Sequence, residues 1–281
     1  MINIYSKYIM DRFILNYNGN KYQETKKYLQ PFIEQSNFEY IAEPFGGIFG
    51  FSRFYYFNHF LKNDKKKDNV KFLINDVDKD LINFYKDLKK DFEKTLNNIR
   101  VEFDNITKDI KEDKELTRKL SQDKKKNKII CLMAASVYSC YSISKFNTKF
   151  NNFMKKKDDY IDFFKKAQFY NMEANAFIEK HKNKKNILFY FDPPYFNSCN
   201  KSYDDVFIEE DGYYDGTSIY INILKQFETS KASNMLVLNK IDVINYLFKN
   251  YIYKEYKGAY NNTYKKEKKR QKHHIIYTSN I

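Results

Sequence analysis

Short apolar runs alternate with amphipathic segments in the first third of the chain. The run FEYIAEPF (38–45) precedes a glycine turn and an aromatic stretch to about Phe60, after which come VKFLIND (70–76) and KDLINFYKDLKK (79–90). Compact apolar runs predict buried strands, and apolar residues spaced three and four apart predict amphipathic helices. This order is typical of a strand, helix, strand unit followed by a second helix.

A second region of the same kind begins near residue 186. It contains the run NILFYFDPPY (186–195), a helical stretch near 217–228, the strand-like NMLVLN (234–239), the helical DVINYLFK (242–249) and two β-prone stretches near 251–257 and 274–279. The two regions together predict an α/β fold with one doubly wound sheet.

The segment between these regions, 91–165, has a different pattern. It is charged or helical throughout and contains no glycine and no proline. We therefore predict a core made of residues 1–90 and 166–281, with 91–165 as an inserted helical lobe. Its most apolar stretch, IICLMAASVYSCYSI (129–143), is too short to span a bilayer and is expected to be a buried helix.

The net charge of +14 suits a polyanionic partner, and nucleic acid is the first candidate. Lysine is abundant along the whole chain, so part of this excess can simply cover solvated faces. The three cysteines form no CxxC pair and no histidine cluster accompanies them, so we expect neither a zinc site nor disulfides. An intracellular protein without a membrane segment fits these features best.

Glycines and prolines, which are scarce in this chain, collect at the predicted strand ends. EPFGGIFG (43–50) follows the first strand, where small residues let the backbone approach a ligand, although an ordinary strand-to-helix turn would look similar. Asp76 follows the next strand, where a carboxylate can accept hydrogen bonds from ribose hydroxyls. Asp78 or Asp80 is expected to cap the following helix.

The stretch FYFDPPYF (189–196) is the strongest chemical signal. Asp192 ends a buried strand, and the two prolines stiffen the turn and leave their carbonyls free. The Asp192 carboxylate and the Pro193 carbonyl can both accept hydrogen bonds from one exocyclic amino group. Tyr195 can stack on the ring that carries this amine, a contact of roughly 1–3 kcal/mol per base.

Four ordered blocks carry a resemblance to a known family: YNGNK (17–21), EPFGGIFG (43–50), NDVDKDLINFYKDLK (75–89) and FYFDPPY (189–195). The chain resembles the Dam-type, D12-class DNA adenine-N6 methyltransferases in their order, spacing and length. The resemblance implies a Rossmann-like sheet that binds S-adenosylmethionine, with the lobe as the target-recognition region. It also implies transfer of a methyl group to an adenine flipped out of double-stranded DNA, without a metal.

The resemblance also assigns roles to individual residues. The catalytic positions it implies are Asp192, Pro193, Pro194 and Tyr195, and the cofactor positions are Tyr17, Gly19, Lys21, Phe45, Gly47, Asp76 and Asp192. Structural alternatives are a surface charge for Lys21, a core position for Phe45 and a packing aromatic for Tyr17.

The chain departs from the family pattern at two places. The family often has a glycine two positions after Gly47, whereas this chain has Phe49, so we expect a reshaped turn or weaker cofactor binding. The recognition segment SISKFNTKFNNFMKKK (142–157) lacks the usual proline and glycine, so the target sequence cannot be carried over.

Several alternatives stay open at the level of sequence. The amine could belong to an RNA adenine, or the chain could be a methyltransferase relic that binds nucleic acid without catalysis. Lysines of the lobe and of the 265–270 stretch are expected to hold phosphates. A cognate restriction nuclease is a further candidate partner, as in restriction-modification systems.

Overall fold

The structure is a computed structural model of the chain, and it describes residues 13–16, 21–30, 32, 37–60, 70–136, 140–194, 217–259 and 271–281. Among these residues seven strands form one sheet in the order β3-β2-β1-β4-β5-β7-β6. The strands are β1 (Tyr40–Glu43), β2 (Lys71–Asn75), β3 (Ala167–Tyr170), β4 (Ile187–Phe191), β5 (Ser233–Asn239), β6 (Ile252–Ala259) and β7 (Gln271–Ser279).

The helices lie between the strands in the chain. Two short helices, α1 (Tyr22–Glu24) and α2 (Gly50–Phe54), continue as π-helices over Thr25–Leu29 and Tyr55–Phe60. The others are α3 (Lys79–Lys90), α4 (Phe92–Thr107), α5 (Asp113–Gln122), α6 (Lys128–Ala134), α7 (Ile143–Met154), α8 (Lys157–Lys166), α9 (Ala174–His181), α10 (Thr217–Thr229) and α11 (Asp242–Leu247), and Lys249–Tyr251 forms a 3-10 turn.

The centre of the sheet is parallel and one of its sides is antiparallel. Strand β4 pairs in parallel with β1, where Ala42 faces Phe189, and with β5, where Phe191 faces Leu236. Strand β7 runs antiparallel to both β5 and β6. All five residues of β4 are buried, as expected for a strand that is covered on both faces. The prediction of an α/β sheet is confirmed.

The described residues group into two compact units. The first unit comprises the described residues within Met1–Ser36, Gly47–Phe72 and Asp78–Asn171. The second unit comprises the described residues within Asn37–Gly46, Leu73–Val77 and Met172–Ile281. Within the first unit, all the regular secondary structure between residues 91 and 166 in the described part of the chain is helical. The boundaries of the lobe, 91 and 165, stay predictions.

Aromatic rings form the core of the first unit. The ring of Phe49 lies 4.8 Å from that of Tyr85, 5.0 Å from that of Phe13 and 5.4 Å from that of Phe163. Tyr56 donates a hydrogen bond of 2.7 Å to Asp162. Burial and this carboxylate raise the pKa of the Tyr56 hydroxyl far above its usual range. Aromatic rings at these distances stabilise the folded state by more than the burial of their surface area alone.

Two local predictions need correction. The stretch 129–143 was expected to be one buried helix, but α6 ends at Ala134, and Ala135 pairs with Tyr141 in an isolated bridge. Ser142 then caps the next helix, α7, by accepting a hydrogen bond from the Lys145 amide, so a separate helix begins there. Strand β3 was missed because no turn signal separates it from the end of α8.

Other local predictions are confirmed. The side chain of Asp78 accepts hydrogen bonds from the amides of Asp80 and Leu81 and so caps α3. Strands β5, β6 and β7 lie where the sequence placed them. None of the helices in the described parts of the chain is both long and apolar enough to cross a membrane.

A buried histidine makes the fold sensitive to acid. His181 ends α9, is only 4% exposed, and its ring packs edge-on against Phe177. Burial, followed by the charges of Lys184 and Lys180, lowers its pKa from 6.5 to about 4. Between these two pH values the unfolded chain binds a proton that the folded chain does not. Stability from this group is therefore present above pH 6.5 and is lost as the pH falls towards 4.

We predict that His181→Leu removes this acid sensitivity. The free energy of unfolding of the variant should fall less than that of the wild type when urea titrations are compared at pH 7 and pH ~4.5. From pH ~7.5 to ~9, where this imidazole does not titrate, the two proteins should change in parallel. Equal losses in acid would contradict the prediction.

Candidate functional site

The ends of β1 and β2 are joined by hydrogen bonds in the second unit. The Gly46 amide, in the turn after β1, donates to the carbonyl of Asn75, the last residue of β2, over 2.6 Å. The Asn75 side-chain amide donates to the Pro44 carbonyl over 2.9 Å. The carboxyl ends of these strands therefore meet, as binding sites of open α/β sheets require.

The same asparagine also holds the segment that follows β3. The side-chain amide group of Asn75 donates to the Met172 carbonyl over 2.9 Å, and its side-chain oxygen accepts from the Met172 main-chain amide over 3.1 Å. Asn75 is 1% exposed, so both polar groups of its side chain are satisfied away from water. Sequence reasoning missed this residue, although a polar residue that ends an apolar strand is a usable signal.

Gly46 is required by close packing. A Cβ atom at this position would lie 2.7 Å from the Ile74 side chain and 2.9 Å from the Asn75 carbonyl oxygen. Any larger residue would push the turn away from the end of β2 and lengthen the hydrogen bond between the Gly46 amide and Asn75. The glycine predicted to allow close approach therefore first allows the backbone to approach β2.

The rest of the glycine turn belongs to the first unit and has left-handed backbone geometry. Gly47 has a φ of 47°, and its carbonyl accepts a hydrogen bond of 2.8 Å from the Tyr85 hydroxyl. Phe49, directly before α2, has φ 40° and ψ 53°. This region favours glycine, because a left-handed conformation costs a residue with a Cβ roughly 1–2 kcal/mol.

Packing keeps Phe49 in this conformation. Its side chain is fully buried, and the guanidinium of Arg53 lies 5.7 Å from its ring and 4.5 Å from the ring of Phe13. Arg53 also donates a hydrogen bond of 2.9 Å to the Ile48 carbonyl. The departure from the family pattern is thus a reshaped turn with an aromatic anchor in the core.

The acidic corner lies at the carboxyl end of β4. Asp192 is half-buried, and Pro193 after it is buried. The carbonyl of Pro194 accepts a hydrogen bond of 2.7 Å from Tyr220, a 3% exposed residue of α10. The expectation that both proline carbonyls are free is therefore wrong for Pro194. Sequence reasoning missed Tyr220, since no local pattern links it to a turn 26 positions earlier.

The structure brings part of the predicted site together. In the second unit, Phe45, Asp76 and Asp192 follow β1, β2 and β4, and each is half-buried. The pairing of β1 with β4 in parallel places the ends of these two strands at one edge of the sheet. Phe45 is therefore not a fully buried core residue, and Asp76 and Asp192 are each partly accessible to solvent.

The remaining predicted residues either belong to the first unit or lie outside the described residues. Lys21 and Gly47 belong to the first unit, and Lys21 is 4% exposed, which contradicts a surface charge. Tyr17, Gly19, Tyr195 and the 265–270 stretch lie outside the described residues. Within the described ranges, no group of three or more His, Cys, Asp or Glu side chains is arranged to hold a metal ion.

Comparison with known proteins gives one family. The model of D12 class N6 adenine-specific DNA methyltransferases matches residues 17–271, nearly the whole chain. The comparison with curated proteins gives no match. The family match spans all four sequence blocks and the edge of the sheet described above.

The strained turn predicts an unusual order of stabilities. Phe49→Ala and Phe49→Gly both remove the ring, at a cost of about 3–5 kcal/mol. Only alanine keeps the left-handed strain, so Phe49→Gly should be at least as stable as Phe49→Ala in urea unfolding. At Phe51, a buried residue inside α2, the order should reverse by about 1 kcal/mol, because glycine weakens a helix. The same order at both positions would contradict the strain.

Proposed function

The chain belongs to the family of D12 class N6 adenine-specific DNA methyltransferases, and from this premise we propose that Asp192 and Pro193 form its amine-binding corner. Its activity is the methylation of adenine N6 in DNA, and S-adenosylmethionine is the methyl donor that the family implies. The predictions of the family, the enzyme class and the methyltransferase fold are confirmed.

The observation that carries the proposal is the position of Asp192. It follows a strand whose five residues are all buried, so the backbone that presents the carboxylate is held on both sides. The lone pair of adenine N6 is delocalised into the ring, which makes the amine a weak nucleophile. Acceptors on both of its hydrogens, the Asp192 carboxylate and the Pro193 carbonyl, return electron density to the nitrogen and fix its orientation.

Tyr220 restrains the backbone of this corner through a hydrogen bond. Its hydroxyl engages the Pro194 carbonyl, which leaves the carbonyl of Pro193 as the acceptor that we assign to the substrate amine. Because a proline has a fixed φ, one hydrogen bond at Pro194 restrains the orientation of the preceding peptide as well. Tyr220 is therefore a positioning residue, and it is not expected to touch the base.

The residues at the sheet edge fit the cofactor. Asp76, which is half-buried, follows β2 at this edge, and its carboxylate is a suitable acceptor for ribose hydroxyls. We assign cofactor binding to Phe45, Asp76 and Asp192, together with Lys21, Gly47, Tyr17 and Gly19 from the family resemblance. When bound, S-adenosylmethionine would supply an activated methyl group on a positively charged sulfur, and the substrate amine would lose a proton after it accepts that methyl group.

The base must leave the duplex to reach such a corner. Extrusion of the base costs a few kcal/mol. We assign to Tyr195, which lies outside the described residues, the stacking contact that offsets part of this cost. The lobe of 91–165 is assigned to target recognition. A leaving group that departs as a neutral thioether needs no metal, so we propose a metal-free reaction. A cognate restriction nuclease remains a proposed partner.

Removal of the Asp192 carboxylate should abolish methyl transfer. We expect Asp192→Ala to lower kcat by at least about 100-fold, measured as N6-methyladenine formed on duplex DNA by mass spectrometry, because the amine loses its charged acceptor. The matched control is Asp242→Asn, an exposed aspartate in the same unit, which should keep the wild-type rate. Transfer by Asp192→Ala within a few fold of wild type, with the fold intact, would refute the assignment.

Loss of the Tyr220 hydroxyl should slow transfer without weakening binding. We expect Tyr220→Phe to lower kcat about two- to tenfold, the equivalent of one hydrogen bond, with KM for DNA unchanged. Tyr246→Phe, which removes the hydroxyl of a 69% exposed tyrosine, is the control and should have no effect. A rise in KM at constant kcat for Tyr220→Phe would indicate a substrate contact and contradict a positioning role.

A further inference from the structure

One side of helix α7 is exposed and polar. Ser144, Thr148, Asn151 and Lys155 are all exposed, and their spacings of four, three and four residues place them on one stripe of the helix. Lys145 is exposed beside this stripe. We call these five residues the α7 face. Hydroxyl and amide groups occupy its middle, and lysines lie towards its two ends.

The chain around α7 has a charge pattern of its own. From residue 124 to residue 157 it carries nine lysines and no aspartate or glutamate. The neighbouring helix α4 differs, because its exposed side chains include Glu93, Glu102 and Asp104. A uniform lysine coating of the lobe therefore does not explain the α7 face. Within the lobe, the excess of positive charge therefore lies on this segment, although Lys128 and Lys157 are paired with Asp78 and Glu93. Such an excess is expected for contact with phosphates.

The opposite side of α7 is packed into the core of the first unit. Phe146, Phe150 and Phe153 are buried at spacings of four and three residues. The ring of Phe146 stacks on that of Phe103 with centroids 3.6 Å apart and planes within 7°. The ring of Phe153 lies 5.2 Å from that of Phe92. The α7 face is therefore presented by a rigid element, which favours precise contacts.

Two polar side chains of α7 are engaged inside the protein. Lys149 donates hydrogen bonds to the carbonyls of Leu132, Met133 and Ala135 over 3.4, 2.9 and 3.2 Å, at the end of α6. Burial, with a smaller contribution from Lys145, lowers its pKa to about 8. Lys149 thus fixes α7 against α6 and is distinct from the exposed lysines.

Asn147 is committed in a similar way. Its side-chain oxygen accepts a hydrogen bond of 2.6 Å from Arg100 of α4. The side chains on the flank of α7 thus restrain the helix, whereas those of the α7 face point to solvent.

We propose that the α7 face enters the major groove of duplex DNA and selects the target site. This inference rests on the proposed function, since a methyltransferase that acts on DNA needs a surface that reads it. A helix of twelve residues is about 18 Å long, and the major groove is about 12 Å wide and admits one helix. Asn151 has the groups that pair bidentately with adenine, Thr148 can contact either base edges or a thymine methyl, and Lys145 and Lys155 can reach flanking phosphates.

The first experiment tests base reading. Wild type, Thr148→Ala and Asn151→Ala methylate a random-sequence duplex library, and the methylated sites are sequenced. We expect each variant to lose roughly 5- to 150-fold in kcat/KM at the preferred site and to relax its preference at one or two positions. Asn97→Ala, which truncates an exposed asparagine on α4, is the matched control and should keep rate and preference.

The second experiment tests phosphate contacts with binding alone. Affinity for a labelled duplex is measured against salt concentration for wild type, Lys145→Ala, Lys155→Ala and the control Lys94→Ala, an exposed lysine of α4. Each α7 variant should reduce the slope of log affinity against log salt by about 1, on every DNA sequence alike, and Lys94→Ala should not.

The outcomes separate the two proposals. Unchanged target preference and rate in Thr148→Ala and Asn151→Ala, or equal salt slopes for the three lysine variants, would overturn the α7 assignment and leave the methyltransferase site intact. A wild-type protein that forms no N6-methyladenine on DNA would instead overturn the proposed function, and the salt slopes would still decide whether the α7 face holds DNA.

Discussion

Asn75 connects three chain segments through one buried side chain. The side chain donates to the carbonyls of Pro44 and Met172 and accepts from the Met172 amide, and the main-chain carbonyl of Asn75 accepts from the Gly46 amide. These bonds bring together the end of β2, the turn after β1 and the segment after β3. Because each partner is a backbone group, the geometry of the sheet edge does not depend on flexible side chains. Asp76, the residue after Asn75, takes its position from this junction.

The amine-binding corner and the glycine turn are stabilised in different ways. At the corner, fixed proline geometry and the hydroxyl of Tyr220 restrain the backbone after β4. In the turn, Phe49 occupies a backbone region that suits glycine, and burial of its ring among other aromatics offsets the strain. A chain rich in phenylalanine and tyrosine can thus place a packed ring at a backbone position whose left-handed geometry favours glycine.

Acidic and basic side chains collect in different parts of the protein. The carboxylates of Asp76 and Asp192 lie at the carboxyl ends of strands, where they suit a nucleoside and an amine. Lys145 and Lys155 are exposed on a segment that has no acidic residue of its own, where they suit phosphates. Lys149 donates hydrogen bonds inside the protein, so lysines here also serve as structural donors, and position and exposure, rather than residue type, distinguish the lysines that we propose to contact DNA.

The sequence by itself determined the family and the positions of the described strands other than β3, and it predicted the acidic corner, because apolar periodicity and the Asp-Pro-Pro-Tyr motif are local properties. It also indicated the Phe49 anomaly, but not its left-handed geometry. Only the tertiary structure decided that Tyr220 donates a hydrogen bond to Pro194, that Asn75 joins the segments at the sheet edge, and that Lys149 and Asn147 hold α7 against its neighbours. These features depend on contacts between residues far apart in the chain, and such contacts leave no periodic signal.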